Sequence, residues 1–584
     1  MKATKTVLVN YASLCFLPIF ALGTPVASAG TNASMVTTTP TVNLGYATYQ
    51  GILVQDTFTN QTNTNFLGVR YAAAPTGTYR FRAARAPGIT PGLQMANTQP
   101  AECPAAPQAT GLSNPFNITT SSSALRRSFN TNVERAANVS EPEDCLFLNV
   151  YVPGHLDKQK RLPVIFWIHG GGYTEGSASM FTGNDILRES GGGVVLVVVQ
   201  YRLGVFGFLP GQKVKDDGLL NAGLLDQQFA LQWVQKHITQ LGGDPTKVTI
   251  WGESAGAGSV IQHLVANDGH TTPPLFRAAM TSSTFLPPQY AFNDRIPELL
   301  YNEVITRTNC SSASDSLECL RSVDFDILQA VNIDITSNGF FGTFVFAPVV
   351  DGTFITARPT KLLQERKLNV KFLQSVTNAF EGTIIVNQST ADSVSQHISN
   401  LFPTLSASAV QKATALYAGL GTKIFQINAI TGESTLICPT YLLMKAFGGN
   451  AFKGEFAVPP GFHGEDINFY FPSSPINFTL PAPGSNALAR SLSESDTGSL
   501  PPFALSDVVR AFSESFTNFA MSLNPNVKFD PSNITPAWKL WSGSNEMLFN
   551  RTVANAIDVR AVTTSKALLQ RCAFWESVAA QTAQ

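Results

Sequence analysis

Unbroken runs of apolar and β-branched residues mark the middle of the chain. Residues 163–168 (PVIFWI) and 194–201 (VVLVVVQY) lack helical spacing and have the length of strands buried on both faces. Shorter runs of the same kind at 248–251, 278–282 and 370–376 predict further central strands, and 223–241 and 255–267 between them read as helices. Strands alternating with helices predict an α/β protein with a large, mostly parallel sheet covered on both faces. Upstream, 37–100 is rich in Thr, Val, Gly and Pro in short alternating runs, so it reads as small strands and turns, whereas 103–145 is a polar loop with little strand pattern. Beyond about residue 286 the pattern becomes mostly helical, with 512–521 and 572–580 fitting amphipathic helices and 472–497 a Pro/Gly/Ser-rich loop. No repeat and no long linker interrupts the chain, so 30–584 is expected to form one large domain with helical and loop insertions.

The first 29 residues follow a different logic. Lys2 and Lys5 precede a largely apolar stretch, 7–22, and Ala27-Ser28-Ala29 is an A-x-A cleavage pattern, so residues 1–29 read as a signal peptide. A secreted, extracellular protein beginning near Gly30 is expected, without a transmembrane anchor, because no later apolar run approaches the roughly 18 residues that span a bilayer. Of seven cysteines, Cys15 would leave with the leader, and six in an oxidising compartment predict three disulfides. Spacing alone leaves the pairing open, although Cys310 and Cys319 flank a short loop and are the easiest pair to join. N-x-[ST] sequons at Asn32, Asn60, Asn117, Asn138, Asn309, Asn387, Asn477, Asn533 and Asn550 fit a secreted glycoprotein. A net charge of −1 with no dense basic run argues against nucleic-acid binding.

Chemistry enters at residues 252–256, Gly-Glu-Ser-Ala-Gly, which follow the strand at 248–251 and open a helix. A serine hydroxyl is a poor nucleophile unless it is exposed, oriented and served by a base, and G-x-S-x-G between strand and helix supplies the exposure. Ser254 is therefore the candidate nucleophile. His169-Gly170-Gly171-Gly172 follows the strand at 163–168, where consecutive glycines free backbone N–H groups for an anion. A tight turn accounts for one such glycine but poorly for three, so Gly171, Gly172 and Ala255 are assigned to an oxyanion hole.

The chain has seven histidines. His237, His263 and His397 lie within helical patterns, His169 belongs to the glycine turn, and His155 and His270 are too close in sequence to the elbow for the order serine, acid, histidine. His463, on a loop after an apolar run, remains as the base. The acid belongs between Ser254 and His463 at a strand end. Glu381, in the exit loop of the strand at 370–376, is slightly ahead of Asp351, whose Asp-Gly context suits a turn or pocket wall.

With these residues in place the chain resembles the type-B carboxylesterase/lipase family, the cholinesterase-like α/β-hydrolases, closest in character to secreted fungal lipases and sterol esterases. Glu143-Asp144-Cys145-Leu146-Phe147-Leu148-Asn149 is similar to its E-D-C-L-x-L-N signature, and Asn221, Gly223, Leu224, Asp226 and Gln227 with Gly242-Gly243-Asp244-Pro245 match its central block. The resemblance runs from about residue 42 to 575. It implies Glu381, in an N-x-x-E-G context, as the acid and His463, in H-G-x-[DE], as the base. It further implies the disulfides Cys103–Cys145, Cys310–Cys319 and Cys438–Cys572, each worth about 2–5 kcal/mol. The expected enzyme is a serine carboxylic ester hydrolase that needs no metal or organic cofactor.

The resemblance puts a lipase lid at 103–145, where the residues read equally as a surface Ω-loop. That stretch contains no Trp where the resemblance to cholinesterases implies a cation-binding one, which disfavours choline esters. Forty phenylalanines exceed what a core of ordinary composition needs. Phe340, Phe341, Phe344 and Phe346, with Phe285 and Leu286, are the candidates to line a long acyl pocket, core packing claiming about half of them. The expected partner is an ester of an apolar, medium- to long-chain acid, and such an enzyme would touch a lipid surface transiently. A short-chain or aryl (feruloyl-type) esterase is the alternative. A non-catalytic binding protein is remote, since the dead members of the family have lost the serine or its partners. The oligomeric state is not readable.

Overall fold

The computed structural model describes residues 39–116, 143–473, 507–552 and 556–584. The leader at 1–29, the middle of the 103–145 loop, most of the 472–497 loop and the sequons at Asn32, Asn117, Asn138 and Asn477 lie outside the described residues. Residues 39–584 belong to one unit.

Fourteen strands are described: β1 (Thr41–Asn43), β2 (Thr48–Gln50), β3 (Ile52–Gln55), β4 (Thr62–Arg70), β5 (Leu93–Met95), β6 (Phe147–Pro153), β7 (Leu162–Ile168), β8 (Val195–Val199), β9 (Gly243–Glu253), β10 (Ala278–Ser282), β11 (Leu373–Asn378), β12 (Ala451–Phe456), β13 (Asn545–Arg551) and β14 (Ile557–Thr563). Eleven of them form one sheet in the order β14-β13-β12-β11-β10-β9-β7-β8-β6-β4-β3, and β1, β2 and β5 form a small one. The run from β8 to β13 is parallel, with antiparallel pairs at both edges. Strands β7 and β8 are buried almost end to end, as their uninterrupted apolar sequence requires. Two apolar clusters fill the two faces of the sheet, one built around Val164, Phe166 and Ile168, the other around Ile165, Trp167 and Trp251. Alternate residues of β7 thus feed opposite cores, as the period of a strand dictates.

Four strands were not anticipated from sequence, the first being β6 between the 103–145 loop and β7. The last third is not simply helical: β12, β13 and β14 extend the sheet, and β11 sits a few residues later than 370–376. Lys453 of β12 is fully buried against Glu546 of β13 at 3.1 Å, an ion pair that disguises both strands as polar segments.

Helices α1 (Ala222–His237) and α2 (Ala255–Gly269) pack beside the centre of the sheet. The residues between 221 and 227 that carry the family-like motif act as braces. Asp226 accepts from Arg202 Nε and Nη2 at 2.7 Å each, and Gln227 donates to Ser259 Oγ at 3.1 Å and lies 3.0 Å from His263 Nε2, tying α1 to α2. Disulfides join Cys103–Cys145, Cys310–Cys319 and Cys438–Cys572. The sequon at Asn533 is not available to a glycan: its side chain is buried and donates to Glu514 Oε2 at 2.6 Å.

Candidate active site

All the chemistry gathers at the carboxyl ends of the parallel strands, where an α/β sheet presents its loops. Strand β9 ends at Glu253 and α2 begins at Ala255, leaving Ser254 alone between them at φ +54°, ψ −122°. This strained turn exists because the elbow is crowded: a Cβ at Gly256 would collide with the Ile168 carbonyl at the end of β7. The exit loop of β11 delivers Glu381, and the loop after β12 delivers His463. None of the three is more than 8% exposed.

The side chains form an unbroken hydrogen-bonded line. His463 Nε2 lies 2.9 Å from Ser254 Oγ, and His463 Nδ1 lies 2.7 Å from Glu381 Oε2. The other carboxylate oxygen of Glu381 accepts the Asn378 N–H at 2.7 Å, so the carboxylate cannot rotate away from the imidazole. A carboxylate only accepts, so Nδ1 carries the proton and Nε2 is left to accept from the serine. Such a line can draw the hydroxyl proton onto the imidazole as the oxygen attacks an electrophile.

Opposite the serine, the loop after β7 turns at Gly171 (φ +95°) and Gly172 (φ +61°). Among the described residues the N–H groups of Gly171, Gly172 and Ala255 make no hydrogen bond, and that of Ala255 opens a helix, where N–H groups lack intrahelical partners. A methyl at Gly172 would land in the Phe344 ring, so the ring lies directly against this loop. His169 is structural: buried and stacked on Tyr201, with its titration pushed down to about 4 by burial. Asp351 accepts the N–H groups of Thr353 and Ile355 and so closes a turn.

Two further carboxyls face the imidazole. Glu253, beside the serine in sequence, puts Oε1 3.6 Å from His463 Nε2, and Asp466 accepts from Asn378 Nδ2 at 2.9 Å. Burial pushes Glu253 up to about 8 and Asp466 up to about 6, with neighbouring carboxylates adding to both. For His463, burial favours the neutral ring, yet Glu253, Glu381 and Asp466 together outweigh it and raise the group to about 9. Glu253 and His463 thus titrate as a pair: when the carboxyl holds a proton, its pull on the imidazole disappears. Both acids stand in the motifs read from sequence, but nothing in the sequence says that they are buried against the histidine.

Behind Gly172 and Phe344 lies a cavity of about 930 Å³, open mouth included, lined by Phe285, Phe340, Phe344, Leu300, Val349 and Leu401 among others. Three of the sequence-assigned pocket residues are elsewhere. Leu286 points the other way, into a small cleft beside Cys438 and Cys572, since successive residues of an extended segment alternate in direction. Phe341 lines a different chamber, with Gly111 and Leu112, and Phe346 is core. The cavity walls contributed by 287–300 and 401–403 carry no sequence signal.

Fold and site together define a carboxylic ester hydrolase built on the α/β-hydrolase fold. The sequence model of the Carboxylesterase family matches residues 38–575, and the chain belongs to that family. It is 30% identical to carboxylesterase patB of Penicillium expansum over 92% of this chain and 96% of that one. It is 36% identical to secreted lipase 1 of Botryotinia fuckeliana over 52% of this chain, a match that spans about half of the lipase (53%). Among solved structures it is similar to EstA of Aspergillus niger, with a TM-score of 0.75 and 28% identity over 94% of this chain and 99% of that one.

Proposed function

We propose that the protein is a secreted serine esterase that cleaves esters of apolar, medium- to long-chain acids, in the manner of a lipase. The observation that carries this reading is the line Ser254–His463–Glu381, with contacts of 2.9 and 2.7 Å. Ser254 Oγ attacks the ester carbonyl while His463 Nε2 takes its proton, and Glu381 holds the ring and stabilises the imidazolium. The N–H groups of Gly171, Gly172 and Ala255 receive the oxyanion, a donor being worth about 10²–10³ in rate. His463 then protonates the leaving alkoxide, and water, activated by the same histidine, clears the acyl-enzyme.

An apolar acid is favoured because the cavity behind Gly172 is walled mainly by phenylalanines, leucines and prolines, the kind of lining that holds apolar ligands. Secretion is supported by the leader-like residues 1–29, by three disulfides and by relatives named as secreted lipases. Among the described residues no helix is long and apolar enough to cross a membrane.

The test is hydrolysis of p-nitrophenyl esters from acetate to palmitate by the wild type and by Ser254→Ala. Activity that holds or rises through the long chains, and falls by about 10⁶-fold in the variant, is expected. A maximum at acetate or butyrate would replace the lipase reading with a short-chain or aryl esterase, and an active alanine variant would remove the serine from its role.

A further inference from the structure

The large cavity does not end the apolar space on this side of the protein. A second chamber of about 490 Å³, open mouth included, is lined by Gly111, Leu112, Phe340, Phe341, Ala391 and His397 among others. Phe340 lines both spaces and is only 4% exposed, which puts this residue at the boundary between them.

The backbone beneath that ring is fixed. Gly111 donates its N–H to the Gly339 carbonyl and accepts that of Phe341, each at 2.8 Å, and Thr343 donates both its N–H, at 2.9 Å, and its hydroxyl, at 2.6 Å, to the Phe340 carbonyl. The ring itself is held less tightly. Protein interiors are close-packed, and a side chain with empty space on two sides forgoes dispersion contacts on both. The aromatic neighbour of Phe340 is His397, with ring centres 5.3 Å apart. Thr431 gives its hydroxyl proton to the Ile427 carbonyl, so His397 Nε2 donates to Thr431 Oγ1 at 2.8 Å. Burial pushes His397 down to about 4, so this ring is neutral at neutral pH. Phe340 carries no polar side-chain atom, so turning about its side-chain torsion breaks no hydrogen bond of its own.

We propose that the second chamber is a distal acyl subsite and that Phe340 is the gate through which the methyl end of a long chain enters it. The proposal rests on the reading of the first cavity as the acyl pocket. Apolar Phe340, Phe341 and Ala391 suit a terminal methyl, while Asp392 at the wall repels a second carboxylate, so monocarboxylic acyl chains are the ligand class. Short acids would be held in the first cavity alone; longer ones would displace the ring and fill both spaces.

The experiment is kcat/KM for p-nitrophenyl esters from butyrate to palmitate in the wild type, Phe340→Ala and Phe340→Trp. A buried methylene is worth about four-fold, so opening the partition should raise the palmitate-to-butyrate ratio of kcat/KM about ten-fold or more. Tryptophan should lower the ratio. Equal changes for both esters in both variants would overturn the gate. If alanine also disables butyrate hydrolysis, Phe340→Leu takes its place, with the same rise expected and an unchanged ratio overturning the proposal. Ala347→Phe, which fills the first cavity, separates the two readings. Failure of the Phe340 variants alone removes the gate. An unchanged chain-length profile in Ala347→Phe removes the acyl pocket beneath it and the gate together.

Discussion

Replacing Glu253 with glutamine removes one carboxylate from the histidine while keeping the shape of the side chain. Across the 3.6 Å between Glu253 Oε1 and His463 Nε2 a full charge pair would be worth about 4–5 kcal/mol at an effective dielectric of about 20. Glu253 is itself pushed up to about 8, so at pH 7 it carries about a tenth of that charge, and the working interaction is about 0.5 kcal/mol. Glu253 raises His463, so its removal lowers the pH at which the imidazole becomes neutral. His463 must be neutral to accept the serine proton. The acidic limb of the kcat/KM profile should therefore move down by about 0.4 pH unit in Glu253→Gln. The imidazolium formed in the transition state loses the same partner, so kcat on the plateau should fall about two-fold. The assay is a pH–rate profile on a soluble short-chain ester, with both limbs fitted. A limb that stays in place, or moves up, would refute the electrostatic coupling, whatever happened to the plateau.

The same variant should be more stable than the wild type, and increasingly so as pH rises. A carboxyl raised from 4.5 to about 8 by folding contributes fully below about pH 4.5 and progressively loses that contribution up to about 8, so thermal midpoints should diverge across this window and a constant gap would count against it. Gly172→Ala drives a methyl into the Phe344 ring at a backbone φ of +61°, so activity should drop about 10²–10³-fold through the displaced oxyanion donor. Phe344→Ala should restore part of it in the double variant, as measured by kcat. Removing Cys438–Cys572, which closes a separation of 134 residues, should cost about 5 kcal/mol by loop entropy, against about 2.5 for the nine-residue separation of Cys310–Cys319. The order of denaturation midpoints of the two double-alanine variants checks this.

The parts of the site that were legible in the sequence are those whose chemistry needs contiguous residues. A nucleophile on a strand-to-helix turn demands small residues on both sides, so Ser254 announces itself, as does the glycine run after β7. Strand ends, chain order and elimination pointed to His463, but they put Glu381 only slightly ahead of Asp351, and the family-like N-x-x-E-G context was what separated the two. What stayed hidden depends on partners far away in sequence. Lys453 and Glu546 are separated by 93 positions, and only their mutual burial turns two polar-looking segments into strands of the sheet. The direction of a side chain was equally hidden. Phe285 and Leu286 are neighbours of similar character, but one enters the large cavity and the other turns toward the Cys438–Cys572 bridge.

Glu253 and Asp466 show where such hidden features lead. Burying a carboxyl without full hydrogen bonding is unfavourable, and Glu253 Oε1 and Asp466 Oδ2 have no hydrogen-bond partner among the described residues. A structural role would be better filled by an amide or an apolar side chain, since both acids push each other and the imidazole away from their ordinary titration. Their placement makes sense once a positive charge forms on His463. Both carboxyls lower the cost of holding that charge, which is why His463 titrates well above an ordinary imidazole despite its burial.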